Sequence, residues 1–149
     1  MKEIKSVLVV EDQKWTTMAI KDGLADSFGE LSIQAKVEFV TSFAEAEQAI
    51  KEKDSIDLIL LDHRMPHTPQ GTLEDDDFDA FCETLGNIGY SLIPLIRERQ
   101  PDAVIIGTSS MSSELRNYPH KPDESIDKSK IHSPEQELSP LLRKLVTEG

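Results

Sequence analysis

The sequence has little that would anchor, cross-link or polymerise it. A single cysteine, Cys82, among 149 residues excludes an internal disulfide. Aromatic residues are only 5% of the chain, so any core must be largely aliphatic. No apolar run approaches the ~18 residues a membrane span needs. Residues Met1 to Ser6 lead into an apolar run too short for a signal peptide, and a cytoplasmic location is expected. Positive charge is scarce: 16 Lys and Arg stand against 28 Asp and Glu, for a net charge of −12. Nucleic acid and anionic membranes repel such a chain, so neither is expected as a partner. Any DNA output would have to come from another protein.

What is present is the balance of one globular domain, 38% hydrophobic and 30% charged, read here as a single domain over 1–149. Val7-Leu8-Val9-Val10 is a continuous apolar run, the pattern of a strand covered on both faces. Ile56 to Leu61 (apart from Asp57) and Ala103 to Ile106 read the same way. From Ser32 to Phe39 apolar and polar residues alternate, predicting a half-exposed edge strand. Ser125-Ile126-Asp127 is a weak fifth strand around a single Ile.

Helical patterns fall between these strands. Ile20, Leu24 and Phe28 share a face, with Gly29 as the expected C-cap. Ser42 and Glu45 form a capping box. Leu92, Ile93 and Ile96 mark another helix, and Ser139-Pro140 supplies an N-cap and first-turn proline for the last. Pro134 offers an earlier start, which Pro140 would interrupt. Strands alternating with helices predict an α/β fold: a doubly wound five-stranded parallel sheet, order 2-1-3-4-5, with helices on both faces. In that architecture ligands bind at the carboxyl ends of the strands beside strands 1 and 3.

Acidic residues stand at those ends. Glu11 and Asp12 follow strand 1, and Asp62 follows strand 3. A lone carboxylate there is as often a helix cap or a solvated group. Three together repel one another unless a cation neutralises them. Oxygen-only ligands and an incomplete shell suit Mg²⁺. Thr108, ahead of the small Ser109, ends strand 4 with a hydroxyl that could bind a phosphoryl oxygen. Lys128 ends strand 5, where its ammonium could offset phosphoryl charge.

The stretches Val7-Leu8-Val9-Val10-Glu11-Asp12, Leu58 to Pro66 and Val104 to Ser109 resemble those of the response-regulator receiver domains of two-component signalling. The resemblance implies a flavodoxin-like fold and a phosphoacceptor role for Asp62. It also implies Mg²⁺ held by Glu11, Asp12, Asp62 and the backbone carbonyl of Arg64, a switch hydroxyl at Thr108 and a phosphate-binding lysine at Lys128. The phosphoryl donor would be a histidine kinase or a histidine phosphotransfer protein. The chain would then be no enzyme beyond its own phosphoryl transfer and dephosphorylation. The last helix runs close to Gly149, so the signal is expected to leave through protein contacts.

Two regions depart from the family pattern. After Lys128 the usual proline is replaced by Ser129, and the aromatic expected three residues earlier is Ser125. Lys130 is a rival with better spacing, but it would put Lys128 in a buried apolar position, so Lys128 is preferred. Tyr118 lies too far back in the chain to fill the aromatic position without rearrangement. Between Pro66 and Gly89 stands an insertion of approximately residues 67–88. There Phe78, Phe81, Cys82, Leu85 and Ile88 share a helical phase that continues into Leu92 and Ile96. The segment is either an extension of the following helix or a separate short helix. Its acidic run from Glu74 to Asp79 is either a solvated helix start or a docking or cation site. Cys82 reads as a small buried hydrophobe, and Trp15 as packing or a rim contact near the acidic pocket. His63, His67, His120 and His132 have no metal-ligand spacing.

Three other functions compete. A pseudo-receiver would use the same fold as an interaction module without phosphorylation. A phosphohydrolase of the haloacid dehalogenase type needs an acid/base Asp where Arg64 stands. A flavin module needs a Gly-, Ser- or Thr-rich phosphate cradle after strand 1, which the sequence lacks.

Overall fold

The computed structural model describes residues 3–109, 115, 117–131 and 137–148. Strands β1 (Ser6–Val10), β2 (Lys36–Val40), β3 (Leu58–Leu61), β6 (Val104–Gly107) and β7 (Glu124–Ser125) form one parallel sheet in the order β2-β1-β3-β6-β7. Counted within the sheet alone, that is 2-1-3-4-5. The apolar runs are continuous because both faces are covered. Leu8, Val10, Ile59, Leu61 and Ile105 face α2 (Phe43–Glu52) and α5 (Ile93–Arg99), meeting Ala46, Ile50 and Ile96. Val7, Val9, Leu58, Leu60 and Ile106 face α1 (Lys14–Leu31) and α6 (Leu138–Glu148), meeting Ile20, Leu24, Phe28 and Leu142. Each such side chain, fully buried, contributes about 1.5–3 kcal/mol. Strand β2 is the edge, and its exposed Lys36 and Glu38 alternate with partly buried Val37 and Phe39. Asp57, the polar exception beside strand β3, accepts the backbone N–H groups of Lys5 and Ser6 at 2.8 and 3.0 Å and ties the entrance of β1 to it.

Several boundaries differ from the sequence reading. Helix α1 does not end at Gly29. It runs to Leu31, and Ser32 adopts the left-handed conformation with φ 56°. The Ile33 N–H then bonds the Phe28 carbonyl at 2.8 Å, and Ile33 packs on the core, an apolar closure that outweighs the glycine signal. The alternation from Ser32 becomes a strand only at Lys36. Helix α6 starts at Leu138, so Ser139 is no N-cap. Its hydroxyl instead donates to Ser27 Oγ at 2.8 Å, a buried link between α6 and α1. Pro140 still lies in the first turn, where its missing N–H is not needed. Pro134 and His132 lie outside the described residues. Ser42 caps the helix, its Oγ accepting the Glu45 N–H at 3.3 Å, while Glu45 Oε1 reaches back to the N–H of Thr41 at 3.2 Å.

The segment after β3 takes the separate-helix form within a larger excursion. Strand β4 (Arg64–Pro66) leaves the site, and β5 (Leu85–Asn87) returns antiparallel to it, pairing Met65 with Gly86. Between them stand two short helices, α3 (Leu73–Asp76) and α4 (Phe78–Glu83), separated by Asp77, whose side chain caps α4 by accepting the Ala80 N–H at 3.1 Å. Leu85 and Ile88 therefore leave the helical face that their spacing implied. Pairing with β4 turns the chain there, while Met65 is fully buried in the core. A 3₁₀ turn over Gly89–Leu92 leads into α5. Cys82 is only partly buried. No helix among the described residues is long and apolar enough to cross a membrane.

Candidate functional site

The sheet carries its acidic residues one step past its strands. Backbone bonds continue beyond the ladder: the Glu11 N–H reaches Val40 O (3.1 Å), the Asp62 N–H reaches Val10 O (3.2 Å) and the Thr108 N–H reaches Leu61 O (3.0 Å). These bonds fix the main chain from which Glu11, Asp62 and Thr108 project. Glu11, Asp12 and Asp62 are all buried and bring one carboxylate oxygen each within 4.8 Å of one another. Among the described residues this is the one group of acidic, His or Cys side chains placed to share a metal ion.

Lys128 enters from the far side. Just past β7, Asp127 caps a 3₁₀ turn over Lys128–Lys130, accepting the Ser129 N–H at 2.9 Å. Ile126, buried, donates its N–H to Gly107 O at 2.9 Å and holds the end of the strand in the sheet. The Lys128 ammonium lies 2.7 Å from Glu11 Oε1 and 2.8 Å from Asp62 Oδ2. Lys130 points elsewhere, to Glu137 at 3.2 Å. Glu11 Oε2 accepts the Gln13 N–H at 2.9 Å.

Asp62 Oδ1 accepts the His63 N–H at 2.8 Å and the Ser109 hydroxyl at very short range. In the sequence Ser109 stands out only as a small neighbour of Thr108, yet it is Ser109 that touches Asp62. Among the described residues Thr108 Oγ1 is buried without a hydrogen-bond partner, as is Asp12 Oδ2. His63, buried, is held by its backbone and its ring. Its carbonyl accepts the N–H groups of Ile88 and Gly89 at 3.0 and 2.7 Å, and its Nδ1 accepts that of Tyr90 at 3.0 Å. Gly89 packs so closely on the Asp62 carbonyl and Met65 that a Cβ there would overlap both. No periodicity in the sequence could have signalled these contacts, because they depend on the return of the 64–87 excursion. Arg64 opens β4 opposite Asn87 with its side chain exposed.

Three carboxylates against one ammonium leave an excess of negative charge. Burial, followed by the Glu11 charge, pushes Asp12 up to about 8. Burial and the Asp62 charge raise Glu11 as well, against the pull of Lys128. For Lys128 burial works against the charge, but Glu11 and Asp62 outweigh it and hold the ammonium above its ordinary range. Tyr90, behind Ser109, is pushed up to about 12 by burial and by Asp62. A hard divalent cation fits this site: every donor is an oxygen, the charge is in excess, and Asp12 Oδ2 is buried with no hydrogen-bond partner among the described residues.

The acidic run is partly structural. Helix α1 has no side-chain cap from Gln13 and no acidic residue in its first turn. Glu74 supplies the missing acceptor, taking the Lys14 N–H at 3.0 Å, and Asp75 pairs with the Lys14 ammonium at 3.5 Å. Trp15 is no packing residue, being 79% exposed. His67 stacks on Phe43, and His63 and His120 both border Tyr118.

No family model and no curated protein matches the sequence. Solved structures match its shape. The RcsB response regulator of Salmonella typhimurium, in a structure concerned with conformational dynamism for DNA interaction, superposes with a TM-score of 0.64 at 15% identity. That match covers 99% of this chain, which spans 62% of the RcsB chain, less than two thirds. A response regulator receiver protein from Sinorhizobium medicae superposes with a TM-score of 0.61 at 20% identity, covering 98% of this chain and 94% of that one. The chain therefore has the fold of a response-regulator receiver domain.

Proposed function

We propose that the chain is a phosphoacceptor receiver, taking a phosphoryl group onto Asp62 from a histidine kinase or histidine phosphotransfer protein and signalling through protein contacts. The observation that carries this is the placement of Asp62 between an acidic pair, Glu11 and Asp12, and the Lys128 ammonium. Asp62 is the nucleophile, forming an acyl phosphate as the donor imidazole leaves. Mg²⁺ would be held by Glu11, Asp12 and Asp62, with the Arg64 carbonyl as a further ligand, and when bound it supplies neutralisation of the transferring phosphoryl oxygens. Lys128 offsets charge on the same oxygens. Thr108, whose buried hydroxyl has no partner among the described residues, is the group to receive one of them. Ser109 must release Asp62 Oδ1, or rotate with it, when the acyl phosphate forms. On this reading the protein turns over no external substrate beyond its donor and its own hydrolysis.

The test is incubation with acetyl phosphate and Mg²⁺, followed by intact-mass analysis. One acid-stable, base-labile phosphoryl group is expected on the wild type and none on Asp62→Asn. An unmodified wild type, with both acetyl phosphate and a competent kinase, would replace this reading with that of an unphosphorylated pseudo-receiver.

A further inference from the structure

Among the described residues the large hydrophobics left exposed are Trp15 (79%), Met18 (48%) and Phe78 (54%). Met18 borders a cleft; Trp15 stands one turn before it on α1, and Phe78 one turn before Phe81, which also lines the cleft. Its volume is about 360 Å³, and Met18, Pro66 and Phe81 line it together with Lys14, Glu74 and Asp12. Trp15 and Met18 are one turn apart on the same face of α1, and Phe78 stacks on Phe81 across 6.3 Å. The cleft thus has an apolar side chain on each side, Met18 and Phe81, each preceded at i−3 by an exposed aromatic ring outside the lining, Trp15 and Phe78. Soluble proteins seldom gather their exposed hydrophobics in this way unless something covers them.

The rim has one sign. Five of the six residues from Glu74 to Asp79 are acidic. The one cation lining the cleft among the described residues, Lys14, is already paired with Asp75. A second copy of this chain, with its own net charge of −12, would bring acid against acid. We propose that this cleft, between the first turns of α1 and the helices α3 and α4, is a docking groove for a cationic amphipathic helix of a partner protein. An apolar stripe would seat between Met18 and Phe81, with Trp15 and Phe78 at its edges, and flanking Lys or Arg would meet the carboxylates of the rim. The groove lies outside the set of residues that hold Asp62, and its occupation does not depend on phosphorylation. Asp12 lies at its inner end, so a bound helix would sit at the mouth of the acidic site.

The experiment uses the intact chain without Mg²⁺ or phosphodonor, as wild type and as Asp62→Asn. The probe is a synthetic amphipathic helical peptide of Leu and Lys, compared with its Leu and Glu counterpart. Trp15, the only tryptophan, reports binding directly. Both proteins should bind the Lys peptide with a blue shift of Trp15 emission, and the Glu peptide should not bind. Replacing both Met18 and Phe78 by Ser, at exposed positions that the fold does not need, should weaken binding by about tenfold or more. Asp76→Asn with Asp79→Asn should weaken it too, and added salt should deepen the loss. Three results would overturn the proposal: absence of binding, equal affinity for the Met18/Phe78 double variant, or equal affinity of the two peptides. Equal affinity for the double variant would mean general attraction to an acidic surface, and equal affinity of the peptides mere apolar adhesion.

Discussion

The ring of Tyr118 lies against the imidazole of His63, with centroids 4.7 Å apart and planes inclined at 65°. His63 directly follows Asp62, and Tyr90 flanks both rings, 4.7 Å from His63 and 6.4 Å from Tyr118. An aromatic contact therefore reaches the neighbourhood of Asp62 from the connection between β6 and β7, although the end of β7 carries Ser125. The chain has only two tyrosines, so fluorotyrosine labelling gives one resonance for each. On treatment with beryllium fluoride and Mg²⁺, the Tyr118 resonance should shift by more than its linewidth. Tyr118→Leu should leave the rate of Asp62 phosphorylation within about twofold of wild type, since the ring touches no reacting atom. An unmoved Tyr118 resonance in a fully modified protein would exclude it from the response.

Lys128 and Lys130 give a sharp contrast. Lys128 bridges Glu11 and Asp62, whereas Lys130 meets exposed Glu137. Lys128→Ala leaves buried carboxylates without their cation and should cost about 2 kcal/mol or more in the metal-free protein. Millimolar Mg²⁺ should restore more melting temperature to this variant than it adds to wild type. Lys130→Ala removes a surface pair and should change stability by less than about 1 kcal/mol. Equal losses in chemical denaturation would contradict the geometry of the turn over Lys128–Lys130.

Two glycines should respond in opposite directions to the same substitution. Gly89→Ala drives a methyl into the Asp62 carbonyl and Met65, and backbone cannot yield as a flexible side chain can. A loss of about 1–3 kcal/mol is expected, together with a slower phosphorylation of Asp62. Gly29 is exposed near the end of α1 with nothing close to its would-be Cβ. Gly29→Ala should raise stability by up to about 1 kcal/mol. Denaturant midpoints of the two variants, measured side by side, check both signs.

These cases show what is legible in a sequence of this kind. The sheet was legible because both faces of a central parallel strand are buried, so Val7 to Val10 and Leu58 to Leu61 announce themselves by composition. The positions of Glu11, Asp12 and Asp62 followed from the strand ends, whereas Lys128 reaches the site from a 3₁₀ turn and not from a strand end: β7 is only Glu124–Ser125, and the buried Ile126 lies one residue beyond it. The excursion from Arg64 to Asn87 was less legible. Phe78, Phe81, Leu85 and Ile88 repeat at a helical period, but β4–β5 pairing is a non-local bond that periodicity does not register. The same holds for Gly89, whose contact with Asp62 exists only after the chain returns, whereas Ser109 reaches Asp62 through the pairing of β3 with β6 and His63 bonds it as its neighbour in the chain. Ser32 in place of Gly29 as the terminus of α1 reflects tertiary packing of Ile33 overriding a local preference.

The acidic site makes a final prediction about pH. Burial and Glu11 raise Asp12 from 3.8 to about 8, so the folded, metal-free protein keeps a proton that the unfolded chain releases. Stability changes with pH in proportion to protons bound by the unfolded state minus those bound by the folded state. That difference is negative here. Asp12 thus contributes a loss of stability as pH rises from about 4 to about 8, in the window set by its two values. Glu11 shifts in the same direction and adds to the loss. A bound Mg²⁺ would need Asp12 ionised, so its apparent affinity should rise toward pH 8 by up to about tenfold per pH unit for the one proton displaced. Melting curves in a chelator should therefore fall between pH 6 and pH 8, and millimolar Mg²⁺ should flatten them. Asp12→Asn, which has no proton to release, should show a shallower fall and little response to Mg²⁺. A wild type whose metal-free melting temperature falls over this interval no more steeply than that of Asp12→Asn would mean that Asp12 is already ionised at neutral pH, and that the three carboxylates are relieved by something other than a proton or a metal ion.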